Sequence, residues 1–370
     1  LAQMNLSGPP ILRNYTIELG WYHKMKFCVL LTMFVMSLGT NVFVLAFAYR
    51  IRRIKSTLNI LIIHLCYADI LAGILCMFGE CLWILTIQWN ASSWLCKFYK
   101  FSISFSISLS TGIICVMSID RTLVIMYPLN RLKMAKRIKI LIGIMYMGSC
   151  LINISQVTMF DTAQAPAPYP LPFIQCVHIS LFMKVQQWRL KVVFWMHYVF
   201  NYALPLIIII VCYSLILTRL KDASRWNKLN NFHQRYCFSK PPSVISMSQE
   251  CSSSILSCKQ SKENNSIILF SKIHSPTSNH SFSHNLKSKN TLFRRAKKKS
   301  IKLTFSIVLT FVVCWTPYYI VYFIRSYSGP IHRFDPRDPG IYSFFFGHLN
   351  AIINPIICGV FQLIQKARRV

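Results

Sequence analysis

Phe311-Val312-Val313-Cys314-Trp315-Thr316-Pro317 lies inside an apolar stretch that runs from about Leu303 to Ile324. A helix of about 20 apolar residues crosses the hydrocarbon of a bilayer, so this proline stands at membrane depth, where it removes one backbone hydrogen bond and opens the preceding turn. The stretch is therefore a spanning helix with a bend about which its halves can swing. The next apolar stretch ends in Asn354-Pro355-Ile356-Ile357, again a polar residue and a proline where no water reaches the backbone. Outward from these two, apolar segments recur at Phe27–Tyr49, Leu58–Leu85, Phe98–Met126, Ile140–Phe160, Val192–Thr218 and Gly340–Phe361, making seven with the first. With 54% hydrophobic residues and a mean hydropathy of +0.43, the chain is far too apolar for a soluble domain of its length. The fold class read from this is an all-α membrane protein, a seven-transmembrane helix bundle. No inverted repeat or short period is visible, which weighs against transporter and solenoid architectures.

The formal charge of +31 invites a nucleic-acid reading, but the basic residues sit in connections on one side of the spans. Arg50-Ile51-Arg52-Arg53-Ile54-Lys55, Arg131 to Arg137 and Arg294 to Lys299 alternate with the spans so that all face the cytoplasm if the amino terminus is outside. This is the positive-inside asymmetry of a multi-pass protein, and no nucleic-acid partner is expected. Asn5, Asn14 and Asn90 then lie in outer sequons and are glycan acceptors, whereas Asn153 falls within a span and Asn264 and Asn279 on the inner side. Residues 1–26 form an outer segment, 27–218 the first five helices, 300–361 the last two and 362–370 a short inner tail. Between them, 219–299 is rich in Ser, Asn, Lys and His and reads as a disordered third inner loop open to kinases. The chain starts at Leu1 rather than Met and stops nine residues after Phe361, which leaves both ends open to continuation.

The two proline-bearing runs resemble the sixth and seventh helices of rhodopsin-like G-protein-coupled receptors, and further landmarks follow in order. An intramembrane carboxylate needs a partner; Asp69 is one, within Leu65-Cys66-Tyr67-Ala68-Asp69. Together with Asn41, Ser110, Trp315, Asn350 and Asn354 it matches that family's sodium and water pocket. The plainer alternative is a water-filled polar network without an ion. Asp120-Arg121 matches the family's Asp-Arg-Tyr motif, which implies that Arg121 holds the inactive face together and later meets the G protein; a solvated surface pair is the alternative. Tyr213, eight residues after Pro205, matches the tyrosine that packs towards that arginine in the active state. Trp315, Pro317, Asn354 and Pro355 complete the activation set. Thr122, Cys358 and Tyr146 depart from the pattern, which carries tyrosine, tyrosine and tryptophan there. Cys96 and Cys176 fall on the oxidising side and are expected to be bridged, two free thiols being the alternative.

Cys314 to Tyr319, Gln175-Cys176-Val177 and Gln88-Trp89 resemble the gonadotropin-releasing hormone, adipokinetic hormone and corazonin receptor group. That resemblance implies a ligand site of Glu80, Trp83, Lys100, Tyr318, Tyr319 and Phe344, with Glu80 either contacting ligand or simply a solvated helix-end acid. Ile103 stands where vertebrate releasing-hormone receptors carry a lysine, and Lys100 is one turn away. It further implies a plasma-membrane receptor for a small amidated neuropeptide, coupled through Gq to phospholipase C, with receptor kinases, arrestin and membrane lipid as other partners. A vasopressin/oxytocin-like receptor is the near rival; a channel or transporter using Asp69 is the distant one. No catalytic constellation, phosphate-binding glycine loop or metal-ligand spacing appears, and no cofactor is expected apart from sodium near Asp69.

Overall fold

The computed structural model describes residues 3–4, 17–18, 21–50, 57–127, 131–164, 173–179, 187–238, 280–327 and 339–367. Seven helices follow one another. The first is Trp21–Arg50, and the second is Thr57–Ala72 continued through a π turn at Gly73–Phe78 into Gly79–Thr86. The third is Ser93–Met126, and the fourth is Arg131–Asn153 with a short extension at Ser155–Met159. The fifth is Gln187–Tyr198, a π turn at Val199–Ala203 and Leu204–Phe238; the sixth is His280–Tyr327 and the seventh Pro339–Ala367. Six are long and apolar enough to cross a membrane, and the seventh carries a shorter apolar stretch at Phe345–Gly359. Pro317 and Pro355 lie inside the sixth and seventh helices.

Contacts divide the chain into two units, Leu1–Tyr213 with Lys299–Val370, and Ser214–Lys298. The first is the bundle. Its third helix is the most enclosed, burying Leu109, Ile113, Ile114 and Met117 against Leu61 and Leu65 of the second helix and Ile307 and Phe311 of the sixth. Apolar residues such as Met147, Leu309 and Val313 remain exposed on outer faces, as expected where lipid is the solvent. The second unit contains the continuation of the fifth helix to Phe238 and the beginning of the sixth at His280.

Two expectations are corrected. The basic run Arg131–Arg137 is not a connection but the first turns of the fourth helix; Leu, Met, Ala, Lys and Arg are strong helix formers and nothing after Pro128 interrupts them. The stretch 219–299, expected to be disordered, is helical up to Phe238 and from His280 onward, because no glycine or proline occurs in either portion. Residues 239–279 lie outside the described residues, as do Asn5 and Asn14. Asn90 is exposed.

A hairpin of Phe160–Gln164 and Ile174–His178 places Thr162 opposite Cys176, and a disulfide joins Cys176 to Cys96 in the first turns of the third helix. Beside it, Asp161 accepts from Ser93 and from the Thr162 N–H at 2.8 Å and pairs with Lys97 at 3.1 Å. Those hydrogen bonds, the one from Ser93 first, hold its carboxyl below the usual carboxylate range. Ser92 caps the same helix end by accepting from the Leu95 N–H at 3.3 Å.

The disulfide closes a separation of 80 residues, worth roughly 4 to 5 kcal/mol on the chain-entropy model. Cys176→Ser should therefore sharply reduce surface expression, whereas Cys28→Ser, at an exposed free thiol, should be mild by surface staining. Because the Asp161 pKa is depressed on folding, its contribution is fully present at neutral pH and is lost only as pH falls through that lowered value. Asp161→Asn should lower the thermal-unfolding midpoint at pH 7, with a smaller difference at pH 3.

Candidate functional site

At the level of Asp69, the second, third and seventh helices meet. Asp69 is 1% exposed; its Oδ1 accepts from Ser110 Oγ at 2.7 Å, and Asn354 stands beside it without hydrogen-bond geometry. Asn41 instead links the first and seventh helices, donating to Ser37 O and Ala351 O at 2.9 Å each. Asp69 Oδ2 and the side-chain oxygens of Asn41, Asn350 and Asn354 are buried with no protein partner. Carboxylate and amide oxygens are the kind of group that a hard monovalent cation or buried water takes as partner. Trp315 Nε1 is likewise buried with no protein partner; an indole N–H donates, so it could meet water there but not the cation itself. Trp315 packs against the seventh helix, where a Cβ on Gly347 would stand 3.0 Å from its ring. Cys358 is buried in the surrounding core.

Toward the disulfide end, the π turn of the second helix, closed by Gly79 N–H to Ile74 O, adds one residue to the turn and so sets the direction of everything beyond it. Gly79 packs so closely on Tyr99 that a Cβ would come within 2.7 Å of the ring. Glu80 is paired with Lys26 of the first helix, Nζ to Oε1 at 2.7 Å. This corrects the expectation of a hydrated carboxylate at the helix end: the acid is satisfied across two helices. Trp83 donates to Gln175 Oε1 at 2.9 Å, and Gln175 Nε2 donates to Ile87 O at 2.7 Å. Gln175 thereby holds the hairpin to the second helix at Ile87, whose φ of 62° is costly for a β-branched residue. Lys100 lies over the rings of Trp83, Phe160 and Tyr99 at 4.7, 5.3 and 5.5 Å, an aromatic cage for a cation.

Tyr318 and Tyr319 enter an aromatic wall. Tyr319 stacks on Tyr202 at 4.6 Å and meets Tyr198, while Tyr322 stacks on both Tyr318 and Phe194. The side chain of Phe344 lies outside the described ones. Lys26, Gln175's clamp and the fifth-helix residues Phe194, Tyr198 and Tyr202 were not assigned to the site from sequence. An unbalanced carboxylate at Glu80 was the only signal for Lys26, and the aromatic spacing in the fifth helix is indistinguishable from lipid-facing apolar residues.

At the opposite end, Asp120 and Arg121 are buried, 0% and 7% exposed, and paired with each other, so the solvated-pair alternative fails. Arg121 also donates to Thr57 Oγ1 at 3.4 Å. Thr122 bonds Cys212 O of the fifth helix at 3.3 Å. Tyr213 packs edge-on against Phe305 with its buried hydroxyl unbonded. Tyr146 donates to or accepts from His64 Nδ1 at 3.2 Å, joining the fourth helix to the second.

The 7 transmembrane receptor (rhodopsin family) model matches residues 40–357, and the chain belongs to that family of G-protein-coupled receptors, which are not enzymes. It is similar to an Octopus vulgaris gonadotropin-releasing hormone receptor, with 28% identity over 93% of this chain and 72% of that protein. A Clarias gariepinus gonadotropin-releasing hormone II receptor is 25% identical over 97% and 81%, and a Catostomus commersonii isotocin receptor 24% identical over 95% and 77%. The protein is thus a multi-pass membrane receptor related to peptide hormone receptors.

Losing the ion pair should cost up to about 1.5 to 3 kcal/mol, the range for a hydrogen bond to a charged group. Lys26→Met should lower the thermal stability of purified receptor, and Lys26→Glu combined with Glu80→Lys should recover most of the loss. Gln175→Ala should loosen the hairpin, visible as faster hydrogen exchange over 174–178.

Proposed function

We propose that this receptor takes a small amidated neuropeptide of the gonadotropin-releasing hormone, adipokinetic hormone or corazonin type at its disulfide end, which faces outside, and signals through Gq. The observation that carries the reading is the cluster of Glu80, Trp83 and Lys100 beside a disulfide-fixed hairpin, together with the aromatic wall that Tyr318 and Tyr319 enter. It combines charge with broad aromatic faces, the chemistry that a short peptide of mixed polarity requires. The similarity to an isotocin receptor supports a second reading, a vasopressin/oxytocin-like peptide.

Binding acts by population shift. Peptide contacts stronger in the open form favour it, and the bend at Pro317 lets the sixth helix swing outward, freeing Arg121 for the G protein. Taking the active fraction from 1% to 99% requires about 5.5 kcal/mol of differential affinity, within reach of a peptide spread over several helices. Sodium held by Asp69 and the unfilled asparagine oxygens would favour the closed form by placing positive charge among groups that must rearrange on opening.

A calcium-reporter screen of cells expressing the receptor against releasing-hormone-like, adipokinetic-like, corazonin-like and vasopressin-like peptides should give a saturable response to one class, abolished by a Gq inhibitor. Silence to all four at verified surface expression would sink the reading. With the active peptide, raising sodium at constant ionic strength should weaken binding, and Asp69→Asn should remove that dependence. Equal sodium dependence in both proteins would eliminate the ion.

A further inference from the structure

A buried chain of amides and hydroxyls joins the third, fourth and fifth helices. Asn153, 0% exposed, donates to Ser108 Oγ at 2.7 Å, and Ser108 donates to Asn201 Oδ1. The Asn201 amide nitrogen then faces His197 Nδ1 at 3.1 Å, and His197 Nε2 meets the Gln156 side chain. The direction is fixed from one end. Asn153 offers an N–H, so Ser108 passes its single proton to the Asn201 oxygen, which leaves the Asn201 N–H for the His197 ring.

Asn201 is the buried residue of the fifth-helix π turn, whose extra residue is marked by Leu204 N–H bonding Val199 O. One residue more or fewer in that turn rotates the adjoining helix by about 100°. Its neighbour Tyr202 reaches the sixth helix beside its proline: the Tyr202 hydroxyl is 2.7 Å from Thr316 Oγ1, immediately before Pro317. Thr316 gives its own proton to Val312 O at 2.6 Å, so Tyr202 is the donor. In the same structure Arg121 is paired with Asp120 and bonded to Thr57 and the Tyr213 hydroxyl is unbonded, which on the proposed function is the closed form.

We infer that Asn153, Ser108 and Asn201 fix the register of the fifth-helix π turn and thereby hold the Tyr202 hydroxyl on Thr316, a latch that keeps the sixth helix in its closed position. These are positioning residues, and the inference rests on the proposed outward swing of the sixth helix. Breaking the latch shifts the resting population toward the open form without any ligand.

Tyr202→Phe removes one hydroxyl and keeps the stacked ring. Ligand-independent activation of Gq, Gi, Gs and G12 sensors, at matched surface level, should rise roughly two- to tenfold, the ratio a single neutral hydrogen bond controls. Thr316→Val should act in the same direction. Ser108→Ala should also raise it, and its combination with Tyr202→Phe should not exceed Tyr202→Phe alone. In parallel, purified ligand-free receptor carrying genetically encoded spin labels at exposed Lys139 and Lys302 should show a larger long-distance population in Tyr202→Phe. An unchanged distance distribution in Tyr202→Phe overturns the latch. Multiplying effects in the double variant overturn the link through the π turn. A shifted distribution with every sensor silent keeps the latch and defeats the G-protein reading.

Discussion

Asp69 at bilayer depth is the constraint around which the bundle is arranged. A carboxylate there has no bulk water, so helices must deliver hydrogen-bonding groups to it or the fold is lost. The third helix delivers Ser110 and the seventh brings Asn354 alongside, while Asn41 secures the seventh helix to the first through Ala351 O. These contacts tie together helices that are neighbours in the bundle. The apolar residues then fill the space, and their outward faces remain free for lipid.

The same scarcity of partners organises both ends. Glu80 is satisfied by Lys26 across two helices, and Lys100 lies over aromatic faces. On the proposed function, a ligand entering this region would meet groups already engaged and would bind by exchanging partners. At the other end Arg121 is enclosed with Asp120, so exposure of its charge requires the helices around it to part. The two ends are linked by helices that carry their own irregularities: a π turn in the second, another in the fifth, and prolines in the sixth and seventh.

Each irregularity aims side chains. Gly79 lets the second helix rest on Tyr99 and Gly347 lets Trp315 lie against the seventh helix; any Cβ there would push those contacts apart. The departures from the family pattern also have structural partners. Tyr146 reaches His64 and Thr122 reaches Cys212 O, so both residues still join helices, through hydroxyls. Cys358 offers no hydroxyl and sits in the core, where a thiol packs as a small apolar group.

By itself the sequence determined the seven-helix class, the place of Asp69 within the second helix, the prolines inside the sixth and seventh helices and the bridging cysteines, because segment length, intramembrane polarity and cysteine placement are local and survive without coordinates. It misjudged the helix ends at Arg131–Arg137 and around 219–299, since basic composition was read as connection although the same residues are good helix formers. It also could not tell Tyr202 from its lipid-facing neighbours, for in a membrane helix both faces are apolar and periodicity carries no signal. The pairing of Glu80 with Lys26, the clamp of Gln175 on Trp83 and the chain from Asn153 to Thr316 were decided only by the tertiary structure. Each joins residues far apart in the chain, and π turns rotate the helices by amounts that no spacing rule encodes.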